Sequence, residues 1–344
     1  MSLLVIGALG SAASSWLITA GMRRYALASS TLLDQPTERS SHSVATPRGG
    51  GVAFIASFAA LMALLAWSGW LPMILLQALL GSGLLVALVG FLDDHRPLPA
   101  RWRFGAHLVA AVWALWCMHG IPPVPIFGVS VDLGGFGLML ACAYLVWMVN
   151  LYNFMDGIDG IAGIEAISVA LGGALCWWLA TRSPLGFVPV ALASSVAGFL
   201  VWNYPPAKIF MGDAGSGFIG MVLGVLSLWT AQESTPVFWS WFILLGVFMV
   251  DATTTLVRRV RRGERFNEAH RSHAYQYAAR RHGSHLKVTL AVALINLVWL
   301  LPLAVLVAMR KLDGVAGVIL AYAPLVWLAF HYKAGARDQQ GSLS

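Results

Sequence analysis

Residues 134–160 read GGFGLMLACAYLVWMVNLYNFMDGIDG. The first two thirds of this stretch is apolar and small or aromatic. It is close to the length of about 20 residues that a helix needs to cross the hydrocarbon core of a bilayer. It then runs into Asn150, Asn153, Asp156 and Asp159, each three residues from the next. In a continuing helix that spacing stacks four oxygen-bearing side chains on one face. Four such groups abutting an apolar span are expensive for a purely structural purpose. Oxygen donors with several carboxylates suit Mg²⁺, and Gly157 and Gly160 let a ligand or backbone approach closely.

Working outward, ten further apolar segments have a span's character: roughly 2–22, 50–68, 72–92, 105–119, 161–181, 186–203, 214–232, 237–257, 287–309 and 314–332. The chain is 58% hydrophobic and only 11% charged, where a soluble domain has about a quarter of its residues charged. The expectation is an all-α, polytopic integral membrane protein of about eleven helices, forming one domain over 1–344. The run Leu3 to Gly21 has no basic residue before it and Arg23-Arg24 directly after it. That is the reverse of a secretory signal, so it reads as a retained first span with its N-terminus outside.

The basic residues test that topology. If sides alternate, nineteen of the 22 lysines and arginines fall on one side, leaving Arg182, Arg310 and Lys311 on the other. The positive-inside rule makes the rich side cytoplasmic, with the N-terminus periplasmic and the C-terminus cytoplasmic. The cytoplasmic loops are then about 23–49, 93–104, 150–160, 204–213 and 258–286. The net charge of +7 reads as topology and attraction to anionic membrane lipid, with no role for nucleic acid. Cys117, Cys142 and Cys176 lie in apolar stretches and read as packing residues. The outer stretch from Ile121 to Leu133 reads as a small hairpin.

Three more polar clusters lie at the same predicted surface. Asp93-Asp94 ends the third span; adjacent carboxylates on a helix point about 100° apart, and two like charges there call for a cation or a proton. Residues 210–217, Phe-Met-Gly-Asp-Ala-Gly-Ser-Gly, form a glycine-rich turn opening a helix around Asp213. Such a turn offers N–H groups to an anion, although a plain helix cap explains it equally well. The loop after the ninth span carries an arginine run and then His270-Arg271-Ser272-His273. The run reads as a lipid-surface anchor and the compact group as a diphosphate contact. Its HxxH spacing lacks a third zinc ligand nearby. Asp251, inside the ninth span, reads either as part of a structural hydrogen-bond network or as a cleft residue that orders the basic loop. One scheme uses all four clusters: carboxylates hold Mg²⁺, the ion holds a diphosphate, and Arg and His neutralise the rest.

The motifs in order are Asp34-Gln35-Pro36 with Arg39, His42 and Thr46 to Gly51; Phe91 to Asp94; Asn150 to Gly160; Phe210 to Ser216; and the 270–276 loop. From about residue 30 to about 285 the chain resembles the polyprenyl-phosphate N-acetylhexosamine-1-phosphate transferases. This family, glycosyltransferase family 4, includes the muramoyl-pentapeptide translocase and enzymes that initiate O-antigen and teichoic acid synthesis. The resemblance implies an inner-membrane phosphoglycosyltransferase facing the cytoplasm. It would move a HexNAc-1-phosphate from a UDP-sugar to undecaprenyl phosphate and release UMP. Carried over by position, Asp213 is the Mg²⁺ ligand (with Mn²⁺ as a substitute), and Asn153 is a second ligand. Asp93 and Asp94 are the catalytic aspartates that meet the lipid phosphate and deprotonate it. Asn150, Asp156, Asp159, His42, Arg48, Arg271 and His273 bind substrate, and a homodimer is the assembly left open.

One departure bears on the sugar. Many members carry HxHH where this chain has His273-Ala274-Tyr275-Gln276. That resembles the subgroup that starts O-antigen, and so lipopolysaccharide, synthesis with deoxygenated sugars such as FucNAc or QuiNAc, GlcNAc being the alternative. The rival class is a transporter or lipid flippase, whose polar residues would sit near the bilayer midplane rather than at the helix ends.

Overall fold

The computed structural model describes residues 2–29, 32–35, 44–264 and 270–337. A backbone in hydrocarbon must satisfy its polar groups within itself, and each of the eleven apolar segments is helical. The helices are α1 (Ser2–Ser29), α2 (Gly51–Trp67), α3 (Met73–His95), α4 (Ala100–Cys117), α5 (Gly134–Met155), α6 (Ile161–Thr181), α7 (Phe187–Asn203) and α8 (Asp213–Glu233), then α9 (Thr235–Leu244), α10 (Gly246–Arg261), α11 (Ala274–His282), α12 (His285–Ala308) and α13 (Gly314–His331). Short π-helical turns interrupt α3 at Gln77–Gly81 and α12 at Asn296–Leu300.

Among the described residues, eight helices are long and apolar enough to cross a membrane, or nine if α9 and α10 count as one span. The chain is therefore an all-α, polytopic membrane protein. α2 is a shorter apolar helix, and α4 opens with Arg101 and Arg103. The segment expected as a single ninth span is broken at Leu245, where α9 and α10 meet at 68°. The loop that follows holds a helix of its own, α11.

α8 is the axis of the bundle, buried almost end to end and packed against α2, α3, α5, α6 and α9. Its glycines permit this closeness. A methyl group on Gly220 would collide with the Met148 carbonyl of α5, and one on Gly217 would meet Val86 of α3 at 2.8 Å. Small residues are how membrane helices approach when hydrophobicity gives no preference between helix and lipid. The expected hairpin is present as β3 (Val124–Ile126) and β4 (Val129–Val131), paired antiparallel with Pro125 opposite Ser130. A second, minimal hairpin joins β1 (Leu33–Asp34) to β2 (Thr46–Pro47) at the other end of the bundle. The three cysteines are free thiols, two of them buried.

Candidate active site

The loop carrying β2 is tied to the turn before α8 through the backbone. Phe210 N donates to Pro47 O at 2.8 Å, Gly50 N to Phe210 O at 2.9 Å and Gly51 N to Met211 O at 2.9 Å. These bonds bring Arg48 beside the start of α8. Gly212 has φ +79°, a conformation that side chains rarely adopt, and a Cβ there would lie 2.6 Å from Asp94 Oδ2. With no side chain at Gly212 to cap α8, Asp94 supplies the cap from α3. Its carboxylate accepts from Asp213 N at 3.1 Å and Ala214 N at 3.4 Å. Negative charge at a helix N-terminus is stabilising.

Asp93 points elsewhere, as neighbours on a helix must. It accepts from Leu98 N and from Arg103 Nη1, the latter at 2.6 Å. The same Arg103 nitrogen lies 3.9 Å from Asp213 Oδ2. Asn153 and Asp93 are the nearest polar side-chain neighbours of the Asp213 carboxyl besides the arginines. Arg48 pairs with Asp34 at 3.1 Å and with Asp94 at 3.6 Å. Burial alone would lower its pKa, but Asp34, Asp94, Asp213 and Asp156 outweigh that and raise it.

These groups surround a cavity of about 220 Å³, whose charged walls are Asp34, Arg48, Asp156, Asp159 and Asp213, with Asn153 and Gln276 among its polar ones. Carboxylates outnumber cations along it. Burial pushes the Asp156 carboxyl well above the usual carboxylate range, and the charge on Asp213 adds to the rise. Among the described residues, no three His, Cys, Asp or Glu side chains form a ready-made metal cage. Magnesium seldom uses one: it keeps several waters and takes one or two carboxylates together with substrate phosphates. Carboxylate and amide oxygens on one cavity, with Asp213 near Asn153, fit that mode of binding.

The structure modifies the expected helical face. α5 ends at Met155 and Asp156 is its C-cap, so Asp156 and Asp159 leave the helix and lie in the 156–160 turn. Asn153, Asp156 and Asp159 still share the cavity wall, but Asn150 does not: its amide donates back to Val146 O at 2.7 Å. The turn forms because Gly160 has φ +75° and because Asp159 accepts from Ala207 N at 3.0 Å.

His273 is buried and caps α11 rather than lining the cavity. Arg271 is half-buried, and its carbonyl accepts from Arg280. His42 and Arg39 lie outside the described residues. Asp251 is the hub of a structural network: it accepts from Ala274 N and Tyr275 N, both at 2.9 Å, and from Thr255 Oγ1 at 3.1 Å. It thereby anchors the start of α11, the structural network of the first reading, and it does not line the Asp213 cavity that the second reading required.

Two residues of the site, Arg103 and Asn203, carry no site role in the sequence reading, whereas Gln276 belongs to the departure that bears on the sugar. Arg103 was counted only as a topogenic charge. Asn203 binds Gly160 N at 3.1 Å and Ile209 O at 3.0 Å, joining two motifs that are distant in sequence. Gln276 reaches the cavity while its neighbour Tyr275 donates to Phe154 O at 3.0 Å from behind it. A polar residue at the end of an apolar span was the available signal for Asn203; nothing local marked Arg103.

The family model described as glycosyl transferase family 4 matches residues 76–231. The phospho-N-acetylmuramoyl-pentapeptide-transferase of Moorella thermoacetica is 33% identical over 230 residues, covering 62% of this chain and 69% of that protein. The probable undecaprenyl-phosphate N-acetylglucosaminyl 1-phosphate transferase of Bacillus subtilis is 30% identical over 277 residues, covering 78% of this chain and 75% of that one. With relatives of that identity and coverage, the chain belongs to glycosyl transferase family 4, the polyprenyl-phosphate N-acetylhexosamine-1-phosphate transferases, and is a phosphoglycosyltransferase.

Proposed function

We propose that this enzyme transfers a HexNAc-1-phosphate, preferably of a deoxygenated sugar such as FucNAc or QuiNAc, from its UDP-sugar to undecaprenyl phosphate. UMP is released and O-antigen assembly begins. In the same reading the chain is one domain of eleven spans in the bacterial inner membrane. Its N-terminus is periplasmic and its carboxylate-rich end cytoplasmic, following the basic residues. The observation that carries the reading is the convergence of Asp156, Asp159, Asp213, Asn153 and Arg48 on one cavity at the helix ends. A transporter's polar groups would lie at the midplane.

Asp213 and Asn153 are the residues that would hold Mg²⁺, with the donor's diphosphate completing its coordination. When bound, the ion neutralises charge on the diphosphate as the phosphoryl group transfers. Arg48, beside the start of α8, supplies fixed positive charge to the diphosphate, and Arg271 of the last loop is the second cation of this reading. The lipid phosphate comes to the edge formed by Arg103 and Asp93. Its negative charge takes over Arg103, and the released Asp93 carboxylate accepts the proton of the lipid phosphate. The freed oxygen forms a bond to the β-phosphorus as the bridging bond to UMP breaks. Asp94 acts by holding the start of α8, and with it Asp213, in place.

Purified protein supplied with undecaprenyl phosphate, Mg²⁺ and a panel of UDP-HexNAc donors tests this. The expected result is UMP release that EDTA stops and Mg²⁺ or Mn²⁺ restores, fastest with a deoxy-HexNAc donor. UMP release indifferent to EDTA would remove the metal assignment, and a preference for UDP-GlcNAc would remove the sugar.

A further inference from the structure

A second cavity lies on the far side of α11 from the first. It is an apolar groove of about 320 Å³ between α10, α11, α12 and α13. Val288, Ala291, Val292 and Ile295 form one wall, and Leu325 and Leu328 face them. The outer faces of α12 and α13 expose Leu290, Leu294, Leu297, Trp327 and Phe330, the surface expected of helices bathed in lipid. The groove's mouth is chemically different. Lys287 and His282 line it together with Tyr332, and His282 Nε2 lies 3.2 Å from the Tyr332 hydroxyl. Arg281 stands over the Tyr332 ring, 5.9 Å from its centroid. From Lys287 to Ile295 the helix rises about 12 Å, comparable with one leaflet's half of a hydrocarbon core of about 30 Å.

An apolar slot of one leaflet's depth with cationic side chains at its rim matches one kind of occupant. We infer that this groove is a binding site for an anionic phospholipid, one acyl chain lying along α12 and the headgroup phosphate at Lys287 and Arg281. The polyprenyl carrier is not the occupant, because α11 stands between this mouth and the Asp213 cavity: Tyr275 lines the groove while Gln276 lines the other cavity. A carrier phosphate at Lys287 would be held away from the carboxylates. The wall facing the slot includes Asp251 and Tyr275, so the lipid also supports the helix that presents Gln276. The site does not depend on the reaction proposed above.

The test is lipid retention. Wild-type protein, Lys287→Glu and Ala291→Trp are placed in nanodiscs of equal phosphatidylglycerol and phosphatidylethanolamine. They are then stripped with detergent, and the lipids still bound are counted by native mass spectrometry. The wild type should keep about one phosphatidylglycerol per chain, in preference to phosphatidylethanolamine. Lys287→Glu should lower that retention by at least about fivefold, the share of one basic side chain near a membrane surface. Ala291→Trp, which fills the slot, should remove it. Lys287 is exposed, so its variant reports on the site even where the tryptophan disturbs packing. Retention that mirrors the bulk lipid mixture, or that both variants leave unchanged, means an annular shell and overturns the proposal. So does undecaprenyl phosphate as the lipid retained.

Discussion

Asp94 gives both carboxylate oxygens to the first turn of α8, whereas Asp213 turns its own toward Arg103, Asn153 and the cavity. The two aspartates should therefore fail differently. Asp213→Asn should keep the thermal midpoint and lose turnover by about 10²-fold or more, the scale of one charged group at a developing phosphoryl transition state. Asp94→Ala removes a helix cap and one partner of Arg48, so it should cost about 1 kcal/mol of stability besides activity. UMP-release rates and thermal melts of the two variants side by side decide this. Near-normal turnover of Asp213→Asn at saturating Mg²⁺ would remove its place as a ligand.

At the scale of elements, α11 is the part whose sequence departs from the commoner histidine pattern, and its two substituted positions are not equivalent. Gln276 lines the cavity, so Gln276→His should change the ratio of rates between UDP-sugars. Tyr275 is buried and holds the Phe154 carbonyl at the end of α5. Tyr275→Phe removes one hydrogen bond worth about 1 kcal/mol, so it should slow every donor by a similar factor of about fivefold. A donor panel run on both variants separates the roles; a ratio unchanged by Gln276→His would take this helix out of the specificity argument. The bend between α9 and α10 belongs to the same scale. It starts a new helix at Gly246 and so sets where Asp251 stands to receive α11.

Across the whole molecule, the cavity's four motifs come from loops and helix ends between Asp34 and Gln276, all at one end of the bundle. The proposed orientation makes that end cytoplasmic. Single cysteines introduced at Arg182 and Lys311 in a background without Cys117, Cys142 and Cys176 should react with an impermeant maleimide added to intact cells. A cysteine at Gly263 should react only after the membrane is opened. The opposite pattern would invert the topology and place the cavity outside.

Apolar runs of about twenty residues and a scarcity of charge were enough to specify a helical membrane protein, because hydrocarbon leaves a backbone almost no other way to satisfy its polar groups. The small hairpin after α4 and the acidic helix ends were legible for the same local reasons. What one-dimensional spacing could not supply is which carboxylate does what. The three-residue period put Asn150 on the same face as Asn153, yet α5 stops at Met155 and leaves Asn150 bonded to its own helix. Asp93 and Asp94 look equivalent in the sequence, but one pairs with Arg103 and the other caps α8. Arg103 and Asn203 entered the site only through contacts between distant segments. Periodicity is a property of one helix, whereas the partner of a charged side chain is chosen by whichever helix ends the folded bundle sets beside it.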